Sequence, residues 1–395
     1  ILGGIMKIGY FCNSTNWGNK KTYNQILEEI REIATYCDQN DWDSIWFSEH
    51  HFSHEGMEIC PNPILLSSDI AARTTNIRIG QAASIITFWN PIRAAEDIAL
   101  LDQLSNGRVE AGVGRGIYGR EALNMNADAD MKDQAKNFRL FEETLTIIKK
   151  AWTEKFFQHE GEFYTYPAPN FEWEHDMSPP SSEFMNLDTK ILEKINIVPQ
   201  PVQKPHPPLW QVVDSPSSIE WAAKNDISII MWIPPVQSLK KRFEIYKNAK
   251  SEKEKRHVEL GEGISVVRDM FVADSMEEAK EKAGEQMVNY MRWVCHWRGL
   301  GTHMNPGEEL PKTDHKLDLL SYDFLHERNM LFGTVDYVIN KIEEMQTELN
   351  LQNLKVWSNF PGVKHEDCMK SIELFTKKII PHFKSKAKSK IKAAS

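Results

Sequence analysis

The chain has 395 residues, 41% of them hydrophobic and 26% charged, with a formal net charge of −9. That is ordinary soluble, folded composition, and the acidic balance argues against nucleic acid as a partner while leaving room for one local phosphate pocket. No apolar run reaches the ~18 residues of a membrane helix, and the scattered cysteines (Cys12, Cys37, Cys60, Cys295, Cys368) lack CxxC spacing, so a reducing cytoplasm is expected.

Residues 1–5 are too short for a signal peptide, and Met6 is the expected natural start. Lys7–Cys12 then reads as a buried strand, and Tyr23–Gln39 as an amphipathic helix with Ile26, Ile30, Ile33 and Ala34 inside. Ser44–Phe47 is the second strand and runs into Glu49-His50-His51. A helix over 63–73, a strand over 77–86, a helix over 94–104 and a strand over 108–113 follow. Asn106-Gly107 stops the third helix, because glycine takes the left-handed backbone without strain. The fourth helix is 138–152. Residues 154–203 lose periodicity and carry Pro167, Pro169, Pro179, Pro180, Pro199 and Pro201, so they read as an excursion off the scaffold.

The second half continues with strands at 209–213, 227–232, 265–272 and 354–357, and helices at 217–224, 239–249, 276–293, 335–347 and 366–383. A polar, Gly- and Pro-bearing segment over 299–323 reads as a mobile lid, and 384–395 as a basic flexible tail. Strands alternating with helices in this number predict an α/β chain, a (β/α)8 TIM barrel forming a single domain over 6–383. Its functional residues belong at the C-terminal ends of the strands.

Several residues at those ends carry chemistry. Gly114, Gly116 and Gly119 make a GxGxxG after a strand, but earlier strands precede it and no acid ends a second strand about 20 residues on, against a dinucleotide fold. The turn instead lets a flat ring approach and offers Arg115 to a phosphate, or it merely closes the barrel with a surface arginine. Asp214-Ser215-Pro216-Ser217-Ser218 opens a helix and either holds an anion or only caps it. Ala82-Ala83 are small residues in a crowded core. His50 and His51 face opposite ways along a strand and cannot chelate together. His54 and Glu58 could add ligands, but no metal is expected; His50 is either an acid–base group or structural.

LLDQLSNGRVEAGVGRG (100–116) closely resembles the matching segment of the bacterial luciferase-like flavin monooxygenases. The resemblance extends to SEHHF (48–52), GQAAS (80–84), VVDSPSSIEWAA (212–223) and IELFTKKIIPHF (372–383), in order, and is closest to the luciferase alpha chain and the alkanal monooxygenases. It implies a two-component enzyme that takes reduced FMN from a separate flavin reductase. Oxygen would react through a C4a-peroxyflavin and oxygenate a small-molecule carbonyl, an aldehyde or ketone, in a Baeyer–Villiger-like step. It implies that Arg115, Asp214, Ser215 and Ser218 grip the flavin phosphate. Ala82-Ala83 would form a non-prolyl cis peptide under the ring, beside Gly114. His50 would be catalytic, a neutral imidazole taking a proton.

Phe52, Phe88, Trp89 and Trp232 are the expected substrate-pocket residues. Gly114 stands where the alpha chain has a reactive cysteine, and Phe88-Trp89-Asn90 puts bulk where it has smaller groups, so the pocket should be reshaped. A homodimer is expected, with a heterodimer as the alternative. Two rival readings share the barrel: an F420-dependent oxidoreductase, which would need a larger basic entrance, and a non-catalytic subunit like the luciferase beta chain, without the flavin site.

Overall fold

A computed structural model describes residues 6–310, 312 and 315–384. Its frame is a ring of parallel strands: β1 Lys7–Cys12, β2 Ser44–Phe47, β3 Arg78–Gln81, β4 Val109–Gly114, β5 Leu209–Val212, β6 Ser228–Met231, β7 Ile264–Val272 and β8 Asn353–Trp357. Each pairs with the next, and β8 returns to β1 through Lys7↔Asn353 to Tyr10↔Val356, closing the expected (β/α)8 barrel.

Local sequence explains most of the boundaries. Thr22 and Gln25 form a reciprocal capping box for Tyr23–Gln39. Asn62 and Asn90 cap the helices Pro63–Ala71 and Pro91–Leu104, each beginning on a proline whose missing N–H is not needed there. Asn106 and Gly107 take φ of 54° and 78° and reverse the chain. Arg108 then ties the reversal to its neighbours, donating to the carbonyls of Ser105 at 2.8 Å, Ala71 at 2.9 Å and Ile77 at 2.9 Å. The main apolar core lies between the strands and the helices, and a smaller one of Trp46, Ile230 and Val267 fills the barrel itself.

Several expectations need correction. The single strand over 77–86 is two pieces: β3 ends at Gln81, the Ala82–Ala83 peptide is cis, and Ser84–Ile85 pairs with β4 before a 3-10 turn at Ile86–Phe88. A short strand over Met330–Gly333 extends the outer end of β7, pairing Asp269↔Met330 to Val272↔Gly333. Its three apolar side chains and a glycine show neither alternation nor a turn signal ahead of them, so the sequence hides it. Helices Gly119–Met125 and Tyr322–His326 were also not anticipated. The helix expected over 276–293 continues to Arg298.

The excursion over 154–203 holds a small antiparallel hairpin, His159–Glu160 with Thr165–Tyr166, and returns through a bridge of Phe157 to Ile195. The segment over 299–323 is anchored at both ends, with Leu300, His303 and Leu320 buried, and exposed from Pro306 to Leu310. Residues 311, 313 and 314 of that segment, the 385–395 stretch of the basic tail and residues 1–5 lie outside the described residues. Among the described residues no helix is long and apolar enough to cross a membrane. The five cysteines are buried and unbridged.

The tightest passage in the barrel is at Gly112, where an added Cβ would stand 1.6 Å from the Gln81 carbonyl oxygen. Gly112→Ala is expected to cost about 3 kcal/mol or more, since backbone must move to admit it. At Gly119 an added Cβ meets nothing within 4 Å, and Gly119→Ala should stay within about 0.5 kcal/mol. Urea unfolding of both variants checks this; equal midpoints would contradict the packing described.

Candidate functional site

The C-terminal strand ends surround a cavity of about 310 Å³. His50, Ala82, Ala83, Gly114, Arg115, Asp214, Ser215, Ser218 and Trp232 all line it, so segments far apart in sequence converge. Phe52, Phe88 and Trp89, expected in the substrate pocket, do not line it. Phe52 takes φ 59° and is 49% exposed. Beyond Ile85 the 3-10 turn carries Phe88 and Trp89 behind the cavity wall, where the Trp89 indole N–H donates to the Glu49 carboxylate at 2.9 Å.

One end of the cavity is built for an anion. Gly114 ends β4, and a Cβ there would press on Ala83 and Ile85 at 3.1 Å, so a side chain would crowd the floor. Arg115 follows. Burial disfavours its charge, and its polar contact among the described residues is Gln134 Oε1 at 3.4 Å, with the Phe138 ring alongside. A half-buried guanidinium without a carboxylate is a cation waiting for a counter-ion. Across from it, Ser215 caps helix Pro216–Lys224, accepting the Ser218 N–H at 3.3 Å and donating to Ser218 Oγ at 2.9 Å. Pro216 has no N–H and the Ile219 N–H donates to the Ser215 carbonyl at 3.1 Å, so within that first turn the Ser217 N–H is the one left over. Asp214 would oppose an anion, but Arg242 sits 3.2 Å from its carboxylate.

The other end handles protons. His50 Nδ1 lies 3.3 Å from Glu58 Oε2 and 3.3 Å from Glu121 Oε1, and both acids are buried. Burial alone would lower the His50 pKa. The two carboxylates outweigh it and raise the imidazole above its ordinary value of 6.5. His50 is therefore biased toward the protonated form, where the sequence suggested a neutral base. Glu58 Oε1 accepts the Tyr290 hydroxyl at 2.5 Å, and Glu121 Oε1 also accepts the His51 N–H at 2.7 Å. His51 turns away from the cavity, its Nε2 3.0 Å from Glu49, whose other oxygen accepts the Ile85 N–H at 2.8 Å. His54 is 90% exposed at its side chain. No cluster of three or more His, Cys, Asp or Glu residues suits a metal ion among the described residues.

Glu121 and Tyr290 escaped the sequence reading, and Glu58 entered it only as a metal ligand. Glu121 meets His50 across 71 residues and Glu58 meets Tyr290 across 232, and nothing local marks either meeting. Arg298, at the end of helix Glu285–Arg298, also lines the cavity and was likewise missed.

The pattern of the family described as luciferase-like monooxygenase matches residues 6–349. Over 384 residues the chain is 26% identical to the flavin-dependent trigonelline monooxygenase, oxygenase component, of Acinetobacter baylyi, covering 96% of each chain. It is 21% identical over 381 residues to the alkanal monooxygenase alpha chain of Photorhabdus luminescens, covering 92% of this chain and 93% of that one. The oxygenating constituent of 3,6-diketocamphane monooxygenase from Pseudomonas putida, a type II Baeyer–Villiger monooxygenase solved with FMN, shares the fold. Its TM-score is 0.73 at 21% identity, over 95% of this chain and 98% of that one.

The carboxylate pair gives a direct prediction. The His50 imidazole, followed by NMR, should titrate above 6.5, and Glu58→Gln should lower its midpoint by removing one of the two charges. A midpoint at or below 6.5 in the parent, or one unmoved by the substitution, would contradict the electrostatics described.

Proposed function

The chain belongs to the luciferase-like monooxygenase family, and from that premise we propose that it is the oxygenase of a two-component flavin system. It takes reduced FMN from a separate flavin reductase and inserts one atom of O2 into an aldehyde or ketone. The observation that carries this reading is one cavity joining an unpaired cation at one end to a proton-bearing histidine at the other. A flavin mononucleotide has the matching polarity: a phosphate at one end and a flat reactive ring at the other.

The residues present fit that group. Arg115 would face the phosphate with the first turn of Pro216–Lys224, where Ser215 stands. Ala82, Ala83 and Gly114 offer a wall with little side chain against which a ring can lie. When bound, reduced flavin supplies the electrons that activate oxygen. The chain's own work is to bind, to exclude water and to place a proton. Val213, Ile230, Val267 and Trp232 give the cavity an apolar lining that keeps bulk water out. His50 holds its proton between Glu58 and Glu121, ready to give it to an oxygen atom on which charge develops.

Reduced FMN should bind much more tightly than reduced riboflavin, which lacks the phosphate. A charge-assisted contact is worth about 1.5–3 kcal/mol, or roughly tenfold to over a hundredfold. Anaerobic titration with both flavins reads this. Equal affinities would remove the phosphate assignment, and failure of either to bind would favour a non-catalytic subunit.

His50→Ala should fold and bind reduced FMN yet lose about 10²–10⁴-fold in turnover. His51→Ala should act through stability, because His51 does not line the cavity and instead holds Glu49, which also accepts the Trp89 indole N–H. The reverse pattern would move the proton-handling role to His51.

A further inference from the structure

We propose that Arg298 selects the substrate by its charge: it takes the carboxylate of a flat, aromatic carbonyl compound held at the His50 end of the cavity. This rests on the carbonyl oxygenation proposed above and adds the class of molecule that is oxygenated.

The first ground is an unspent charge. Arg298 lines the cavity half-buried, and it has no hydrogen-bond or ion-pair partner among the described residues. Its neighbours at the same rim differ. Arg120 is paired with Glu55 at 3.4 Å, and the cavity's own acids are engaged, Glu58 by Tyr290 and His50, Glu121 by His50 and the His51 amide. As the last residue of its helix, Arg298 gains something from the helix dipole. That favours a cation at this point but puts no acceptor in front of its N–H groups. A guanidinium presents donors in a planar fork that a carboxylate fits with paired bonds.

The second ground is the shape and chemistry of the walls. Tyr118, Trp232 and Tyr290 line this end, Tyr118 with Trp293 behind it at 5.6 Å, edge to face, and Trp232 with Tyr290 at 6.1 Å. Walls made of ring faces and edges suit a flat aromatic guest. The charge around it permits an anion. Glu58 and Glu121 are offset by a protonated His50 and by Arg298, and Glu49, which also lines the cavity, is held by the Ile85 N–H and the Trp89 indole N–H.

The test uses 4-formylbenzoate and its uncharged isostere 4-formylbenzamide, with binding to the full chain followed by tryptophan fluorescence. The carboxylate should bind the parent about tenfold or more tightly than the amide. Arg298→Gln should abolish that preference, leaving amide binding and reduced-FMN affinity unchanged, and Arg298→Lys should restore part of it. Equal binding of the two probes by the parent, binding of neither, or a preference that survives in Arg298→Gln would overturn the proposal. A fall in reduced-FMN affinity in Arg298→Gln would also overturn it, by assigning the arginine to the flavin. If reduced FMN fails to bind the parent while the carboxylate preference stands, the flavin reading fails and the anion site remains.

Discussion

The barrel closes around a buried lysine. Lys355 on β8 points into the ring of strands with its ammonium 4.2 Å from the Trp46 ring and 4.7 Å from the Trp210 ring. Ser265 Oγ accepts from it at 2.6 Å and Asn353 Oδ1 at 3.2 Å. Burial pulls its pKa down to about 7. Contacts from β2, β5, β7 and β8 thus meet on a single group. Nearby, Glu110 on β4 accepts the Trp210 indole N–H at 2.5 Å and pairs with Arg78 on β3. Losing the lysine would leave two large rings and two polar acceptors facing a hole, so this layer ties β2, β5, β7 and β8 together inside the barrel. The apolar layer of Trp46, Ile230 and Val267 belongs to the same filled interior.

The rim depends on that closure. A parallel barrel delivers every strand end to one face, so Arg115 from β4 and Ser215 after β5 become neighbours although a hundred positions separate them in the chain. The same face receives His50 after β2 and, from a helix beyond β7, Tyr290. What results is a cavity graded in character: an end with an unpaired arginine, a bare wall of Ala82, Ala83 and Gly114, and an end where two acids face an imidazole and raise its pKa. Such grading orients a guest before any reaction, because only one placement satisfies both ends. The acids buried beside His50 are costly to bury, and each is met by a donor: the Tyr290 hydroxyl for Glu58 and the His51 N–H for Glu121.

Much of this was legible in the chain. The alternation of strand and helix and the Asn-Gly reversal are local signals, and they led to the right barrel. Arg115, His50 and the 214–218 turn stand at strand ends, so counting strands was enough to bring them to one cavity. The residues that fall outside the cavity share a cause. Phe52, Phe88 and Trp89 follow strand ends just as His50 does, but a left-handed residue at Phe52 and a 3-10 turn at Ile86–Phe88 send them elsewhere. No composition rule distinguishes a loop that lines a cavity from one that passes behind it. Glu58, Glu121 and Tyr290 lie on a loop and two helices, and their roles exist only in their meeting. The strand Met330–Gly333 hid because three apolar residues and a glycine carry too little periodicity to be told from a loop.

On the reading proposed above, the graded cavity seats a flavin in one fixed direction. A crystal structure of the chain grown anaerobically with reduced FMN tests it most directly. The account predicts the phosphate against Arg115 and the first turn of Pro216–Lys224, with the ring along Ala82–Ala83 and toward His50. A phosphate bound at Arg298 with the ring reversed, or flavin lying outside the cavity, would contradict it.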